Sequence, residues 1–168
     1  MRRSDAYLAL GSNLGSRFWL LGEAVRRLAQ SGVHVVARSA IYETCAVSDS
    51  PQPDYLNAVI RVSTPRSPQQ LLATGLGIER TMGRVRPVGQ SRAARTIDID
   101  VILYDDWIVK DTALQLPHPG LLQRAFVRIP LADVARGGLR HPREGTRLDV
   151  APVDSGVRLF ARRWVGDT

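Results

Sequence analysis

The chain of 168 residues is 44% hydrophobic, and this length and composition predict a single soluble domain with a core of its own. No apolar run is long enough to span a membrane and the first residues show no signal-peptide pattern, so we expect a cytoplasmic protein without a membrane partner. Cys45 is the only cysteine, which excludes an internal disulfide bond. The net charge of +7 favours an anionic partner such as a nucleotide or a nucleic acid.

The first elements along the chain are a short strand at residues 6–10 and a helix that ends near residue 30. Ser16 or Asn13 can cap the start of this helix, and Gly32 stands where a glycine after a helix is favoured. The turn at residues 11–16 lacks the Lys-Ser/Thr pair of a phosphate-binding loop, so we interpret it as a tight turn.

A second strand at residues 33–42, a loop at residues 43–53 and a third strand at residues 55–63 follow. Because side chains alternate along a strand, Tyr55 and Asn57 share one face of the third strand. An aromatic ring beside a carboxamide suits a flat heterocycle that forms hydrogen bonds. A cross-strand pair at a sheet edge is the simpler explanation of these two residues taken alone.

Two prolines end the third strand and begin a second helix, whose apolar side is loosened by Gly75 and Gly77. Glu79 lies at the margin of that side, where an acid is usually solvated but is also able to reach a ligand. Residues 83–94 are polar and without periodicity, which is typical of a lid or a binding loop.

The strand at residues 95–104 carries two acids on one face, Asp98 and Asp100, and apolar side chains on the other. Adjacent carboxylates repel each other and lose hydration unless a cation lies between them, and Mg²⁺ prefers such oxygen ligands. Guanidinium groups bind phosphate, and four of them lead into this strand: Arg84, Arg86, Arg92 and Arg95. A solvated strand face with local Arg–Asp salt bridges is the alternative.

The remaining chain predicts a turn at residues 105–107, a return strand at 107–109, a strand at 126–129 and a short helix at 130–135. His118 stands between two prolines, which restrict where its imidazole can lie. Residues from 137 onward are rich in arginine and loop-like, apart from a final element at 157–165 anchored by Trp164. We assign no function to this C-terminal extension.

The predicted order of elements is β-α-β-β-α-β, followed by a return strand and small helices. This order predicts an α+β protein with a ferredoxin-like antiparallel sheet and helices on one face. The other face of the central strands is then free to hold a ligand.

Seven stretches, in order, resemble the 6-hydroxymethyl-7,8-dihydropterin pyrophosphokinase family of folate biosynthesis. They are YLALGSNLG at 7–15, PDYLNA at 53–58, IE at 78–79, GRVR at 83–86, RTIDID at 95–100, PHP at 117–119 and RAF at 124–126. The match is good over residues 1–136 and poor over 137–168. The resemblance implies an ATP- and Mg²⁺-dependent enzyme, most simply a monomer and at most a weak homodimer, that binds no nucleic acid. It transfers diphosphate from ATP to the hydroxymethyl group of a reduced pterin and releases AMP.

The resemblance also implies roles for individual residues. Asp98 and Asp100 resemble the ligands of two Mg²⁺ ions, and Arg86 resembles a loop arginine that closes over the triphosphate. With Arg84 and Arg95 they form the catalytic set. The residues implied to contact ATP are Glu79, Arg84, Arg95, Val101, His118 and Arg124. The residues implied to contact the pterin are Thr44, Cys45, Ala46, Val47, Tyr55, Asn57 and Phe126.

Two loops depart from the family pattern. The segment at residues 45–48 lacks the usual proline and glycine residues, and residues 92–94 replace a Trp-Gly-Pro sequence. These changes leave open a catalytically weak pterin- or nucleotide-binding homologue. The basic charge and the ferredoxin-like sheet leave open an RNA-binding module. Asp98 and Asp100 disfavour the RNA-binding module, because they would repel a phosphate backbone.

Overall fold

The computed structural model describes residues 3–46, 51–84 and 93–167. Three helices and eight strands lie within these residues. In chain order they are β1 (Ser4–Ser12), α1 (Arg17–Gln30), β2 (His34–Arg38), β3 (Ile41–Thr44), β4 (Tyr55–Thr64), α2 (Pro68–Thr81), β5 (Asp98–Tyr104), β6 (Val109–Lys110), β7 (Gln115–Leu116), α3 (Ala125–Val134) and β8 (Arg158–Ala161).

The main sheet has the strand order β5-β1-β4-β3-β8, with β2 also paired to β4, and its strand pairs are antiparallel. This order confirms the predicted α+β class and ferredoxin-like sheet. The predicted strand at residues 33–42 is interrupted between β2 and β3 by Ser39. The Ser39 hydroxyl accepts a hydrogen bond from the Val59 amide at 2.9 Å, so a side chain replaces a backbone carbonyl at the break.

Helices α1 and α2 cover one face of the sheet and enclose the main core. As predicted, Ile97, Ile99 and Val101 point into this core. As predicted, Gly32 follows the end of α1, where its φ of 82° favours glycine. Ser16 occupies the N-cap position of α1 as predicted, but its side chain makes no capping hydrogen bond within the described part of the chain.

Helix α3 contradicts two predictions about the other face. Residues 126–129 begin α3 instead of forming a strand, because Val127, Leu131 and Val134 recur at helical spacing and pack on Tyr7 and Val59. A short apolar run does not distinguish strand from helix by itself. This face of the sheet is therefore covered over one half, and only the half nearest Asp98 is left for a ligand.

The segments after β5 also differ from the prediction. The expected return strand at residues 107–109 was wrong, since β6 pairs with β7 in a separate two-stranded sheet. Trp107 instead packs edge-on against Tyr104, with the ring centroids 5.4 Å apart. The final element is confirmed: β8 pairs with β3, and buried Trp164 donates its indole N–H to the Ser39 carbonyl at 2.8 Å.

Candidate active site

The register of the sheet aligns three residues across neighbouring strands, which we call the central row. Asp98 of β5 lies opposite Gly11 of β1, and Gly11 lies opposite Asn57 of β4. Opposed residues share a face and adjacent strands are about 4.8 Å apart, so Asp98 and Asn57 are separated by roughly 10 Å. Because Gly11 has no side chain, the surface between them is open to a flat ligand.

The two aspartates lie among opposing charges. Asp98 is paired with Arg84 and, at 2.7 Å, with Arg95. The pKa of Asp100 is raised well above its ordinary value, first by burial and then by the negative charges of Asp98 and Glu79. A proton or a cation beside Asp100 would relieve this repulsion, and the metal site stays a prediction.

The donor set fits the Mg²⁺ that the resemblance implies. Among the described residues, no group of three or more His, Cys, Asp or Glu side chains is arranged to hold a metal ion. Asp98 and Asp100 would therefore be the two carboxylate ligands. Mg²⁺ commonly binds to proteins through one or two carboxylates and completes its shell with substrate phosphates and water.

Glu79 is not at a solvated margin, which corrects one interpretation of its place on α2. Its side chain is only 2% exposed. Its carboxylate contacts Arg84 at 2.6 Å and accepts a hydrogen bond from the Ile99 amide at 2.7 Å. Glu79 therefore binds two groups of the protein near Asp98, the Arg84 side chain and the main chain of β5.

His118 and Arg124 lie beyond the edge of β5. The His118 amide donates to the Ile102 carbonyl at 3.0 Å, and His118 Nδ1 accepts from the Gly120 amide at 3.0 Å. Burial and then the positive charge of Arg124 lower the pKa of His118. The imidazole is thus neutral at pH 7 with its hydrogen on Nε2, which makes it a donor suited to a phosphate oxygen.

Two of the residues expected to contact the pterin, Thr44 and Tyr55, lie beside Asn57. Its Nδ2 donates to Thr44 Oγ1 at 2.8 Å, and both side chains are buried. A Cβ atom built on Gly11 would lie 3.5 Å from Asn57 Oδ1 and 3.7 Å from the Tyr55 ring, so both groups border the open surface. Phe126 is half-buried in α3, where its ring lies 6.0 Å from the Arg124 guanidinium carbon.

Other predicted site residues are placed less favourably or lie outside the described residues. The Val101 side chain is buried in the core, so only its main chain is available to ATP. Cys45 is exposed and Ala46 half-buried at the end of β3. Val47 and Arg86 fall outside the described residues, and their roles stay predictions.

Asn13 organises the site in a way that sequence reasoning missed, since it was considered only as a helix cap. Its side-chain Oδ1 accepts a hydrogen bond from the main-chain amide of Arg95 at 2.8 Å, and its main-chain amide donates to the Arg95 carbonyl at 3.1 Å. Its Nδ2 donates to the Pro53 carbonyl at 3.1 Å. Asn13 therefore joins the arginine segment to the start of β4. The backbone partners of a buried amide leave no signal in a sequence.

Two arginines outside the expected site brace the strands that carry residues expected to contact the pterin. Arg17 of α1 contacts Glu43 at 3.0 Å and donates to the Asp54 carbonyl at 2.7 Å. Arg158 of β8 reaches the carboxylates of Glu43 and Asp54, each at 3.3 Å. These charges come from four separate segments, so no sequence pattern joins them.

Strand-borne carboxylates that face a cluster of arginines are an arrangement that suits the binding of phosphate groups with a divalent cation. The family model described as 7,8-dihydro-6-hydroxymethylpterin-pyrophosphokinase (HPPK) matches residues 7–136. The chain therefore belongs to the HPPK family. No helix in the described ranges is long and apolar enough to cross a membrane.

Individual relatives agree with the family assignment. The chain is 45% identical over 131 residues to a 2-amino-4-hydroxy-6-hydroxymethyldihydropteridine pyrophosphokinase of Methylorubrum extorquens, covering 77% of this chain and 82% of that protein. It is 38% identical over 159 residues to the protein of the same name from Bacillus subtilis, covering 94% and 91%. A crystal structure of a Plasmodium falciparum HPPK-DHPS triple mutant has the same fold, with a TM-score of 0.68 at 14% identity. That match covers 88% of this chain and 43% of the longer one.

Proposed function

We propose that the protein transfers diphosphate from ATP to 6-hydroxymethyl-7,8-dihydropterin, releases AMP, and acts as a monomer in the cytoplasm. The observation that carries this proposal is the central row, in which Asp98 and Asn57 stand on one face across Gly11. The row leaves room for a pterin whose hydroxymethyl group points toward the carboxylates. A binding module alone would not need acids and arginines at that end of the row.

We assign the binding of the metal ions and the ATP phosphates to residues at the edge of β5. Asp98 and Asp100 would hold two Mg²⁺ ions, which supply neutralisation of the ATP phosphate charge when bound. Arg84 and Arg95 already pair with Asp98. Both guanidinium groups therefore lie close to the phosphate oxygens of an ATP whose Mg²⁺ is held by Asp98. His118 would donate through Nε2, and Arg124 would add a further positive charge.

The pterin would bind at the opposite end of the central row, around Asn57. Asn57 Oδ1 would accept from the amide edge of the pterin, since Asn57 Nδ2 is already held by Thr44. Tyr55 and Phe126 would border the ring as aromatic neighbours. Arg17 and Arg158 would keep the ends of β3 and β4 in place through Glu43 and Asp54.

The chemical step needs positioning and charge neutralisation and no protein nucleophile. The hydroxymethyl oxygen of the pterin forms a bond to the β-phosphorus of ATP. The bond from that phosphorus to the oxygen shared with the α-phosphorus breaks, and AMP leaves with that oxygen. Asp98 would orient the attacking hydroxyl group, whose proton passes to solvent water as the new bond forms.

The RNA-binding alternative is weakened by α3, which covers half of the sheet face that such a module would expose. Activity measurements distinguish an active enzyme from a catalytically weak homologue. Asp98→Asn and Asp100→Asn should each abolish pterin-dependent AMP release with the circular dichroism spectrum unchanged. Asp106→Asn, at an exposed position just after β5, is the matched control and should keep full activity. Turnover within tenfold of the wild type in either site variant would contradict the metal assignment.

A further inference from the structure

We propose that Glu79 is a positioning residue, which fixes the backbone between the two aspartates together with Arg84 and does not contact ATP. This inference rests on the proposed function, because it concerns the carboxylates and the arginine assigned there. It replaces the ATP contact that the resemblance implies for this acid.

The first support is the bond to the edge strand. β5 is the terminal strand of the main sheet in the described chain, with β1 as its sheet neighbour. The Ile99 amide, which lies between Asp98 and Asp100, donates to Glu79 Oε1 at 2.7 Å. A side chain from α2 thus takes the place of a neighbouring strand at the midpoint between the two proposed metal ligands. The bond holds the backbone from which both carboxylates project.

The second support is the close approach of α2 to this strand. Gly75 precedes Glu79 by four residues, so both lie on the same side of α2. A Cβ atom on Gly75 would lie 3.2 Å from Ile99 Cγ2 and 3.6 Å from the Ile99 carbonyl oxygen. The glycine therefore does not loosen the helix as expected but lets it pack closely. This close packing brings the Glu79 carboxylate within reach of the Ile99 amide.

The third support is the charge on the other side of Glu79. Its Oε1 also lies 2.6 Å from Arg84 Nη1, and the same nitrogen contacts Asp98. The Glu79 and Arg84 side chains are only 2% and 8% exposed. A buried charge that loses its partner is strongly destabilised, so Glu79 keeps Arg84 against Asp98. An acid enclosed in this way offers almost no surface to a nucleotide.

Two variants separate the two contacts. Glu79→Gln keeps an oxygen that accepts from the Ile99 amide but loses the charge that holds Arg84, whereas Glu79→Ala loses both. Glu23→Gln is the matched control, because Glu23 is a buried acid on α1 that bonds to Arg26 and Arg27 at 2.6 and 2.7 Å. It removes a similarly paired charge outside the proposed site.

Hydrogen exchange of the Ile99 amide in the ligand-free protein, followed by NMR, is the first readout. We expect exchange at least tenfold faster in Glu79→Ala, and near the wild-type rate in Glu79→Gln and Glu23→Gln. Unchanged exchange in Glu79→Ala would overturn the proposal. If Glu79→Ala does not fold, the test uses Glu79→Gln. The proposal would be overturned if the Ile99 amide exchanged as fast in folded Glu79→Gln as in the denatured protein.

Calorimetry with ATP, in the presence of Mg²⁺ and separately in EDTA, is the second readout. We expect both Glu79 variants to weaken binding in Mg²⁺ at least fivefold and not to weaken binding in EDTA. Equal weakening in the two conditions would indicate a direct ATP contact and refute the proposal. Neither readout requires turnover, so a wild-type protein that forms no AMP would contradict the proposed function and still leave the role of Glu79 decided.

Discussion

Replacing Gly120 with alanine tests whether Arg124 contributes to phosphate binding. A Cβ atom at position 120 would lie 2.5 Å from Nε and 2.8 Å from Cζ of Arg124. Carbon contacts are favourable at about 3.5–4 Å, so the guanidinium group must move by about 1 Å or more. The backbone of Gly120 is outside the left-handed region, and the atoms it would meet belong to a flexible side chain. The substitution should therefore displace Arg124 and leave the fold intact.

The expected magnitude follows from the bond that is lost. A hydrogen bond to a charged group contributes about 1.5–3 kcal/mol, which corresponds to roughly 10- to 150-fold in affinity. Because Arg124 is displaced and not removed, we expect the lower end, a rise in the KM for ATP of about tenfold. The free energy of unfolding should stay the same or rise by about 0.4–1 kcal/mol, since alanine restricts the unfolded chain.

Steady-state kinetics and urea denaturation measure the two effects separately. Gly137→Ala is the control, because a Cβ atom there would meet nothing within 4 Å, and it should leave the KM for ATP unchanged. An unchanged KM in a stable Gly120→Ala protein would refute the phosphate role of Arg124. A loss of stability above about 1 kcal/mol would show that the clash reaches the backbone.

Three further predictions concern the pterin, the tail and pH. Tyr55→Ala should raise the pterin Kd about three- to tenfold with the ATP Kd unchanged, since an aromatic pair contributes about 0.5–1.5 kcal/mol; a matched ATP defect in calorimetry would mean that the two sites are misassigned. Trp164→Ala should lower the free energy of unfolding by about 3–5 kcal/mol in urea, because its buried ring anchors β8; a loss below about 1 kcal/mol would contradict the anchor. Hydrogen bonds from Arg26 and then Arg27 lower the pKa of Glu23 to about 2. Its contribution to stability is therefore present above its unfolded pKa of about 4.5 and lost as the pH falls toward 2. Glu23→Gln should flatten the decline of stability between those values, and an unchanged decline would argue against this pairing.

The features that the sequence predicted correctly depend on local periodicity. The alternation along β4 and β5 assigns Tyr55 and Asn57 to one face, and Asp98 and Asp100 to one face, because a strand repeats every two residues. The order of strands and helices then restricts the sheet to few topologies. For these reasons the ferredoxin-like sheet and the composition of the central strands were predictable.

The features that the sequence did not predict depend on contacts between distant segments. The apolar run that begins at Phe126 fits a strand as well as a helix until Val127, Leu131 and Val134 are seen to pack on the sheet. The burial of Glu79 requires the close approach that Gly75 allows. The hydrogen bonds between Asn13 and Arg95 join residues that are far apart in the chain, so no local sequence pattern predicts them.

The proposed reaction can be tested by ³¹P NMR of the products formed from ATP, Mg²⁺ and 6-hydroxymethyl-7,8-dihydropterin. AMP and a pterin diphosphate should appear in equal amounts, without ADP, and only when the pterin is present. If ATP and the pterin bind in the presence of Mg²⁺ but no AMP appears, the proposed reaction is wrong. The protein would then bind these ligands on the fold of its family without catalysing the transfer.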